Sequence, residues 1–285
     1  MKIGFIGGGK LGTALGRYFI EHSLDVIGYA SKTRQSSLLA ADFTNTKVMD
    51  IKNIIKDSQI IFLTVTDGAI EVVWNEVSKY NINGKIICHC SGALSSSVFK
   101  GIDDHGAKGA SLHPFIAISN KESYKELKNA SFTVEGNEET LFIIKKLLEP
   151  LDNKIYSISK ENKILYHTSA VIASNFVVVL AQLSIELMEI CEYNDKESLI
   201  KLIESSVINL KGGVINALTG PIERGDKDTI TKHIEALNKF EDSSFKNIYT
   251  QMSKKLVEIA KKKNPNTNYE DIEDLLNACT SSPHL

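Results

Sequence analysis

The sequence has few cysteines and no pattern that would pair them. Four cysteines occur in 285 residues, and their spacing offers no disulfide framework. Two of them flank a histidine in Cys88-His89-Cys90, but alternate side chains of a strand point to opposite faces. No second Cys-x-x-Cys or His-x-x-His pair completes a tetrahedral ligand set. We therefore expect free cysteines and no bound metal.

An excess of charge of either sign is also missing. The 33 Lys and Arg residues face 35 Asp and Glu residues, a formal net charge of −2. This balance argues against a general binder of nucleic acid or of a membrane surface. The longest apolar run, Ala170 to Ile185, contains three polar residues and is shorter than a bilayer span, and the first residues lack a signal-peptide pattern. We expect a soluble, cytoplasmic protein without membrane contact.

The chain does contain a strand, a glycine turn and a helix at its start. Lys2 to Ile6 alternates like a short buried strand. Gly7, Gly9 and Gly12 follow it at the Gly-x-Gly-x-x-Gly spacing. The first glycine permits a tight turn, the second admits a pyrophosphate, and the third lets the helix pack close to the strand. The helix that begins near Lys10 directs its positive end at the phosphates, so this order predicts a dinucleotide site.

The end of the second strand, Leu24 to Ala30, selects the dinucleotide. An NAD site places a carboxylate there for the ribose 2′-hydroxyl, whereas this chain has Ser31-Lys32-Thr33-Arg34. Two hydroxyls and two cations suit a 2′-phosphate, which predicts NADP(H); an ordinary solvated loop is the alternative. The predicted cofactor-binding residues are Gly7, Gly9, Lys10, Leu11, Gly12, Ser31, Lys32, Arg34, Val65 and Thr66.

Strand patterns fill the first half of the chain, and helical patterns fill the second. Short apolar runs separated by helical segments indicate a parallel α/β sheet whose last strand is Lys154 to Ile158. We predict a Rossmann NADP-binding domain over 1–158 and an all-helical substrate and dimerisation domain over 159–285. The predicted helices of the second domain are Tyr166 to Cys191, Lys196 to Ile215, Asp228 to Asn238, Ser243 to Lys262 and Tyr269 to Ala278, before a frayed tail, Thr280 to Leu285.

The first long helix of the second half is apolar nearly all round from Ala170 to Leu187. A small helical domain hides such a surface only against a neighbour. The pattern therefore predicts a homodimer formed through the helical domain.

Candidate site residues follow the carboxyl ends of the strands, where ligands of open α/β sheets collect. Thr66 contacts the cofactor there or caps the next helix. The Ser91-Gly92 turn is expected to expose a hydroxyl and amides to a substrate anion. His113, held in extended geometry by Pro114, is a catalytic candidate, with a purely structural histidine as the alternative.

Two polar residues interrupt the apolar helix of the second half. His167 and Asn175 are separated by about 80° around the helix and about 12 Å along it, so they share a broad face. One of them is expected to hold the reacting carbonyl while the other binds another part of the substrate or its acid. For Asn175, a buried hydrogen bond between helices is the alternative.

A second group of substrate-binding candidates lies further along the chain. Gly-Pro and Arg-Gly-Asp shape a loop that presents Thr219 and Arg224, and a guanidinium there suits a carboxylate. The alternative for Arg224 is an ion pair with Glu223 or Asp226. His233, on the next helix, is expected to face the same cleft.

Five phrases spread over nearly the whole chain resemble a known family: FIGGGKLGTALG, HCSGALSSSVF, SLHP, YHTSAVIASNF and ALTGPIERGDKDTITKHIEAL. They are similar to bacterial proteins that pair a Rossmann-like domain with a helical domain of unknown function. More distantly, the chain resembles ketopantoate reductase, pyrroline-5-carboxylate reductase, 6-phosphogluconate dehydrogenase and deazaflavin-dependent NADP oxidoreductases. The resemblance implies a helical domain like the C-terminal domain of 6-phosphogluconate dehydrogenase.

One position departs from the related dehydrogenases, which carry a catalytic lysine four residues before an asparagine. That asparagine corresponds to Asn175, and Val171 stands where the lysine would be. The proton would then come from His167, His113, a hydroxyl or water. The resemblance implies NADPH-dependent reduction of a small 2-oxo acid, with 2-dehydropantoate (ketopantoate) in pantothenate biosynthesis as the first candidate. A cyclic imine reductase and a non-catalytic NADP-binding regulator are the alternatives.

Overall fold

The computed structural model describes residues 1–279. The predicted tail from Thr280 to Leu285 lies outside the described residues. The chain divides into two compact units, Met1–Phe176 and Val177–Leu285, called here the α/β unit and the helical unit. This division falls inside a long helix, and the boundary between 158 and 159 stays a prediction.

Eight strands of the α/β unit form one sheet, in the order β3-β2-β1-β4-β5-β6-β7-β8. The first six follow the order of the Rossmann fold, which confirms the predicted fold class. The strands are β1 Lys2–Ile6, β2 Asp25–Ala30, β3 Lys47–Val48, β4 Ile60–Leu63, β5 Ile86–His89, β6 Lys108–Pro114, β7 Phe132–Gly136 and β8 Ile155–Ser157.

The sheet is mixed, whereas the sequence predicts a wholly parallel sheet. β6 and β7 pair antiparallel, with His113 opposite Thr133, and β7 and β8 pair parallel. A parallel neighbour requires a crossover that returns the chain to the other end of the sheet. The connection after β6 stays at one end instead, because the Phe115 amide bonds to the Ser131 carbonyl at 2.8 Å.

Helices cover both faces of the sheet. Phe5, Phe19 and Phe62 are fully buried on one face, and Ile61 and Trp74 on the other. The helices of this unit are α1 Lys10–Glu21, α2 Arg34–Thr44, α3 Ile51–Asp57, α4 Asp67–Val77 and α5 Glu138–Leu148, followed by α6 Lys163–Ile190, which crosses into the helical unit.

The helical unit breaks one predicted helix in two. The sequence predicts a single helix from Lys196 to Ile215, but Gly213 has a φ of +94°, which ends the regular helical geometry. A small core includes Ile230, Val257 and Tyr269. The helices after α6 are α7 Lys196–Asn209, α8 Val214–Ala217, α9 Pro221–Arg224, α10 Lys227–Leu237, α11 Ser244–Lys263 and α12 Glu270–Ala278.

The apolar stretch that contains α6 is longer than the run from Ala170 to Ile185 that the sequence suggests. The segment Lys160–Ile190 is long and apolar enough to cross a membrane by length and composition, which corrects the expectation that the run falls short. Ser174 does not interrupt the helix, because its hydroxyl donates to the Ala170 carbonyl one turn earlier, at 2.7 Å. Much of the surface of α6 is exposed, as at Val178, which is 70% exposed.

Candidate functional site

The glycine turn after β1 combines close packing with open space. A Cβ on Gly7, whose φ is +119°, would lie 2.5 Å from the Thr64 carbonyl oxygen, and a Cβ on Gly12 would collide with the Thr64 side chain. These two glycines are required by the packing of α1 against the sheet. A Cβ on Gly9, the residue before α1, would meet no protein atom within 4 Å. The space above Gly9 is therefore free for a ligand, at the point where the amides of α1 begin.

In the loop after β2, some polar side chains bond to the backbone and others line a cavity. The Ser31 hydroxyl accepts the Gly8 amide at 2.8 Å, and the Thr33 hydroxyl caps α2 through the Ser36 amide. Ser31 and Arg34 line an adjacent cavity of about 910 Å³, whereas Lys32 is exposed outside its lining. Of the two cations in this loop, Arg34 is the one beside the cavity.

The turn after β4 settles one of the open alternatives. Thr66 stands at the residue before α4 but makes no capping hydrogen bond with its side chain, so the predicted cap is wrong. The next residue, Asp67, instead accepts a hydrogen bond from the Ser91 hydroxyl at 2.7 Å. The turns after β4 and β5 are thereby tied together. Val65 is half-buried against the sheet core.

The sequence predicts that Ser91 presents its hydroxyl to a substrate, and the structure contradicts this. The residue is 6% exposed, and its hydroxyl accepts the amides of Ala93 and Leu94 at 3.1 Å and 2.9 Å while donating to Asp67. These bonds close the turn on itself and occupy the hydroxyl. Ser91 is therefore a structural residue of the turn.

Gly92 brings the turn directly under two imidazoles. A Cβ on Gly92 would lie 2.5 Å from His167 Nδ1 and 2.9 Å from His113 Nε2, so only glycine fits without displacing a ring. The rings of His113 and His167 lie perpendicular to each other with centroids 5.9 Å apart. His113 Nδ1 bonds to the Tyr166 hydroxyl at 2.8 Å, whereas the buried His167 Nδ1 has no hydrogen-bond partner within the described chain.

The two histidines share a cavity with the predicted asparagine. The cavity, about 490 Å³, is lined by His113, His167, Val171 and Asn175 and otherwise by mostly apolar residues. Asn175 is exposed, and its side-chain oxygen accepts from the Ser174 hydroxyl at 3.0 Å, so the predicted burial between helices is wrong. The structure thus brings the three catalytic candidates, which the sequence placed on two separate segments, around one space.

Burial keeps His113 uncharged near neutral pH. Desolvation, followed by the nearby charges of Lys163 and His167, lowers the pKa of His113 to about 4, and Asp67 opposes this shift. An imidazole with this pKa donates or accepts a hydrogen bond at neutral pH but carries no extra proton.

The remaining substrate candidates lie in the helical unit. Thr219 and His233 line a largely apolar cavity of about 370 Å³ that does not include Arg224, and His233 Nδ1 bonds to the Tyr249 hydroxyl at 2.9 Å. The expectation that His233 and Arg224 share a cleft is therefore not met within this cavity.

The alternative for Arg224, an ion pair with Glu223 or Asp226, is not formed. Glu223 lies 3.5 Å from the Lys263 ammonium, Asp226 caps α10, and within residues 1–279 Arg224 forms no ion pair. Its guanidinium is exposed.

The sequence analysis does not identify Lys163 or Glu135 as site residues. Lys163 and Glu135 are buried, and both bond to the Ser111 hydroxyl of β6. No motif marks them, because each depends on partners far away in the sequence. The one available signal is the position of Lys163, a lone cation at the start of an apolar helix.

Comparison with known families and proteins extends over both parts of the chain. Residues 1–114 match the Rossmann-like domain family, and residues 130–256 match the domain of unknown function DUF2520. The chain is 30% identical to protein TM1727 from Thermotoga maritima, with a TM-score of 0.74, over 92% of this chain and 99% of that protein.

Two further comparisons are more distant. An imine reductase from Myxococcus stipitatus, solved in complex with NADP+, shares 14% identity over 98% of this chain and 99% of that one, with a TM-score of 0.61, which shows a common fold. The Bacillus subtilis protein YqeC, provisionally named a 6-phosphogluconate dehydrogenase, is 26% identical over 151 residues. This match covers 52% of the chain and spans half the length of YqeC.

Proposed function

Because the chain belongs to the family that joins a Rossmann-like domain to the domain of unknown function DUF2520, we propose that it is an NADPH-dependent reductase of a small 2-oxo acid. The observation that carries the proposal is the cavity around His113, His167 and Asn175, on the same unit as the glycine turn. The first substrate to test is 2-dehydropantoate, in keeping with a role in pantothenate biosynthesis.

The residues of the glycine turn fit a dinucleotide. The free space at Gly9 accommodates a pyrophosphate, and the first amides of α1 supply donors for its oxygens. Arg34 and Ser31 line the cavity in which a 2′-phosphate is expected. NADPH, when bound, supplies the hydride.

Residues of the cavity are proposed to orient the substrate and to supply the proton. The Asn175 side chain orients the substrate carbonyl by a hydrogen bond that strengthens as negative charge develops on the oxygen. His113, uncharged at neutral pH, serves as a hydrogen-bonding group, which leaves His167 as the favoured proton donor. Within the helical unit, the groups proposed to bind a carboxylate are Thr219 and Arg224, which forms no ion pair in residues 1–279.

Reduction of a cyclic imine is the second candidate. An iminium substrate arrives with its proton, so it needs no acid in the site. Val171 in place of a lysine and the low pKa of His113 both favour this reading. The fold shared with an imine reductase is consistent with it.

We also propose that the protein is a soluble cytoplasmic homodimer that binds neither nucleic acid nor membrane. The apolar residues of α6 and α7 that are exposed in one chain, such as Val178 and Leu202, would be covered by the second copy. Burial of this surface supplies the free energy of association.

An NADPH-oxidation screen with purified protein tests the proposal. The substrates are 2-dehydropantoate, other small 2-oxo acids and cyclic imines such as pyrroline-carboxylate. Turnover of a 2-oxo acid supports the first candidate, and turnover of imines alone supports the second. Tight NADPH binding without turnover of any of them would contradict both and favour a non-catalytic regulator.

A further inference from the structure

One lysine of the α/β unit is completely buried. Lys163, the first residue of α6, has no exposed surface, while every other lysine and arginine in residues 1–279 retains some. Burying an ammonium is costly unless its charge and its donors are satisfied. The reaction proposed above makes no use of this group.

The partners of Lys163 come from the turn after β5 and from the middle of β6. Its Nζ donates to the Ser91 carbonyl at 3.0 Å and to the Ser111 hydroxyl at 2.8 Å. The same hydroxyl donates to the Glu135 carboxylate at 3.2 Å, and Glu135 also accepts the amide and hydroxyl of Ser96 at 2.7 Å and 2.8 Å. A buried cation and a buried anion are thus joined through one hydroxyl, without direct contact.

These bonds hold the Ser91-Gly92 turn from both sides. Asp67 binds the Ser91 side chain, and Lys163 binds the Ser91 carbonyl, the group directly before Gly92. Gly92 in turn contacts the two imidazoles so closely that no Cβ fits between them. A displacement of the Ser91 carbonyl would therefore move Gly92, which the rings of His113 and His167 contact.

We propose that Lys163 is a positioning residue of the candidate site: its ammonium fixes the Ser91-Gly92 turn beneath the imidazoles and places a positive charge near His113. The ammonium is buried away from solvent and acts on the substrate only through these neighbours. The inference deepens the proposed function and rests on it for the site at which Lys163 acts.

The charges around both groups agree with this role. His113 faces Lys163 and His167 from α6, which lower its pKa further after desolvation, and Asp67 from α4, which opposes them. Desolvation lowers the pKa of Lys163 itself, and Glu135, Cys88, Cys90 and Asp67 oppose that shift. Glu135 is the largest of these opposing influences, so β7 supplies the main counter-charge.

A titration of the His113 ring by NMR tests the inference without substrate or cofactor, with the signal assigned by comparison with His113→Gln. In the wild type the expected midpoint is about 4. A midpoint near the ordinary value of about 6.5 would overturn the proposal before any variant is made.

The matched variants then test the effect of removing the Lys163 ammonium. Lys163→Met is expected to raise the midpoint by about one pH unit, a tenfold change in proton affinity. The double variant Lys163→Met/Glu135→Gln removes both buried charges and serves where the single variant does not fold. Lys160→Met, at an exposed lysine of the preceding turn, is the control and should leave the midpoint unchanged. An unchanged midpoint in a folded Lys163 variant would contradict the proposal.

Turnover measurements distinguish this inference from the proposed function. If the protein is a reductase, the Lys163 variants should lose kcat while the NADPH dissociation constant stays within about twofold, because Lys163 acts at the imidazoles. A titration that behaves as expected in a protein without turnover would refute the reductase assignment and leave the electrostatic role of Lys163 intact.

Discussion

The turn after β1 and the turn after β5 both contain glycines, but the glycines meet opposite surroundings. A Cβ on Gly9 would enter empty space, whereas a Cβ on Gly92 would enter two imidazole rings. The atoms of the first turn leave room for a ligand. The second turn is covered by the side chains of His113 and His167.

This difference supports the proposed separation of cofactor binding from chemistry within the α/β unit. Binding at the first turn uses backbone amides and open space, so few side chains are needed. In the second turn the Ser91 hydroxyl is not available to a ligand, because it is engaged with Asp67 and the following amides. The contribution of this turn is to place the imidazoles, and the substitutions below test this division from the largest expected effect to the smallest.

Gly9→Val should remove NADPH binding and leave the fold intact. The side chain would enter the space proposed for the pyrophosphate, and its Cβ would meet no protein atom within 4 Å, so affinity should fall at least about 100-fold. Calorimetry measures the affinity, and circular dichroism checks the fold. Gly212→Val, at another glycine whose Cβ meets nothing within 4 Å, is the control. Retained NADPH affinity in Gly9→Val would show that the turn is only structural.

His167→Gln and His113→Gln should differ in their pH profiles. If His167 supplies the proton, its loss should lower kcat by about 100-fold and flatten the fall of the rate at high pH. His113 is already uncharged above about pH 4, so His113→Gln should lower kcat without changing the profile between neutral and alkaline pH. Full rates and unchanged profiles in both variants would exclude both histidines as the acid and favour the imine reaction.

Asn175→Ala should lower turnover and leave NADPH binding unchanged. Loss of a hydrogen bond to the developing oxyanion corresponds to on the order of 2 to 4 kcal/mol of transition-state stabilisation. Steady-state kinetics with the substrate identified by the screen measure this loss. Ser169→Ala, on the same helix but outside the cavity lining, is the matched control. Equal kinetics for Asn175→Ala and the wild type would remove Asn175 from the site.

Arg34→Ala should weaken NADP more than NAD, by about tenfold, since a charge-assisted bond to the 2′-phosphate is lost. Lys32→Ala is the comparison, and a smaller effect is expected because Lys32 lies outside the cavity lining. An equal loss for both cofactors would assign Arg34 to the adenine or to the fold. NAD binding as tight as NADP in the wild type would contradict the predicted preference itself.

The sequence predicts the first turn better than the second for a physical reason. Gly7 and Gly12 stand at the Gly-x-Gly-x-x-Gly spacing, so their residue types mark the turn directly, although Thr64, the residue against which both pack, follows β4. Strands β1, β4 and β5 are also predictable from local apolar runs. The direction of β7 is not, because it depends on a connection that stays at one end of the sheet.

The second turn depends on contacts that the local sequence does not show. Lys163 and Ser111 are 52 positions apart, yet they share a buried hydrogen bond, so neither residue type reveals its role. A Ser-Gly pair after a strand suggests an exposed hydroxyl, whereas bonds to Asp67 and two amides turn Ser91 inward. The break before α8 is different, because the Gly212-Gly213 pair is a local turn signal that the predicted helix from Lys196 to Ile215 does not take into account.

The most direct test of the division between the two turns is to measure the NADPH dissociation constant and kcat of Gly92→Ala together. The added methyl group must displace His167 or His113, whose ring atoms are its nearest neighbours. The predicted result is a dissociation constant within about twofold of the wild type and a kcat lower by about tenfold or more. Loss of NADPH affinity in Gly92→Ala, or an unchanged kcat, would contradict the separation of cofactor binding from chemistry.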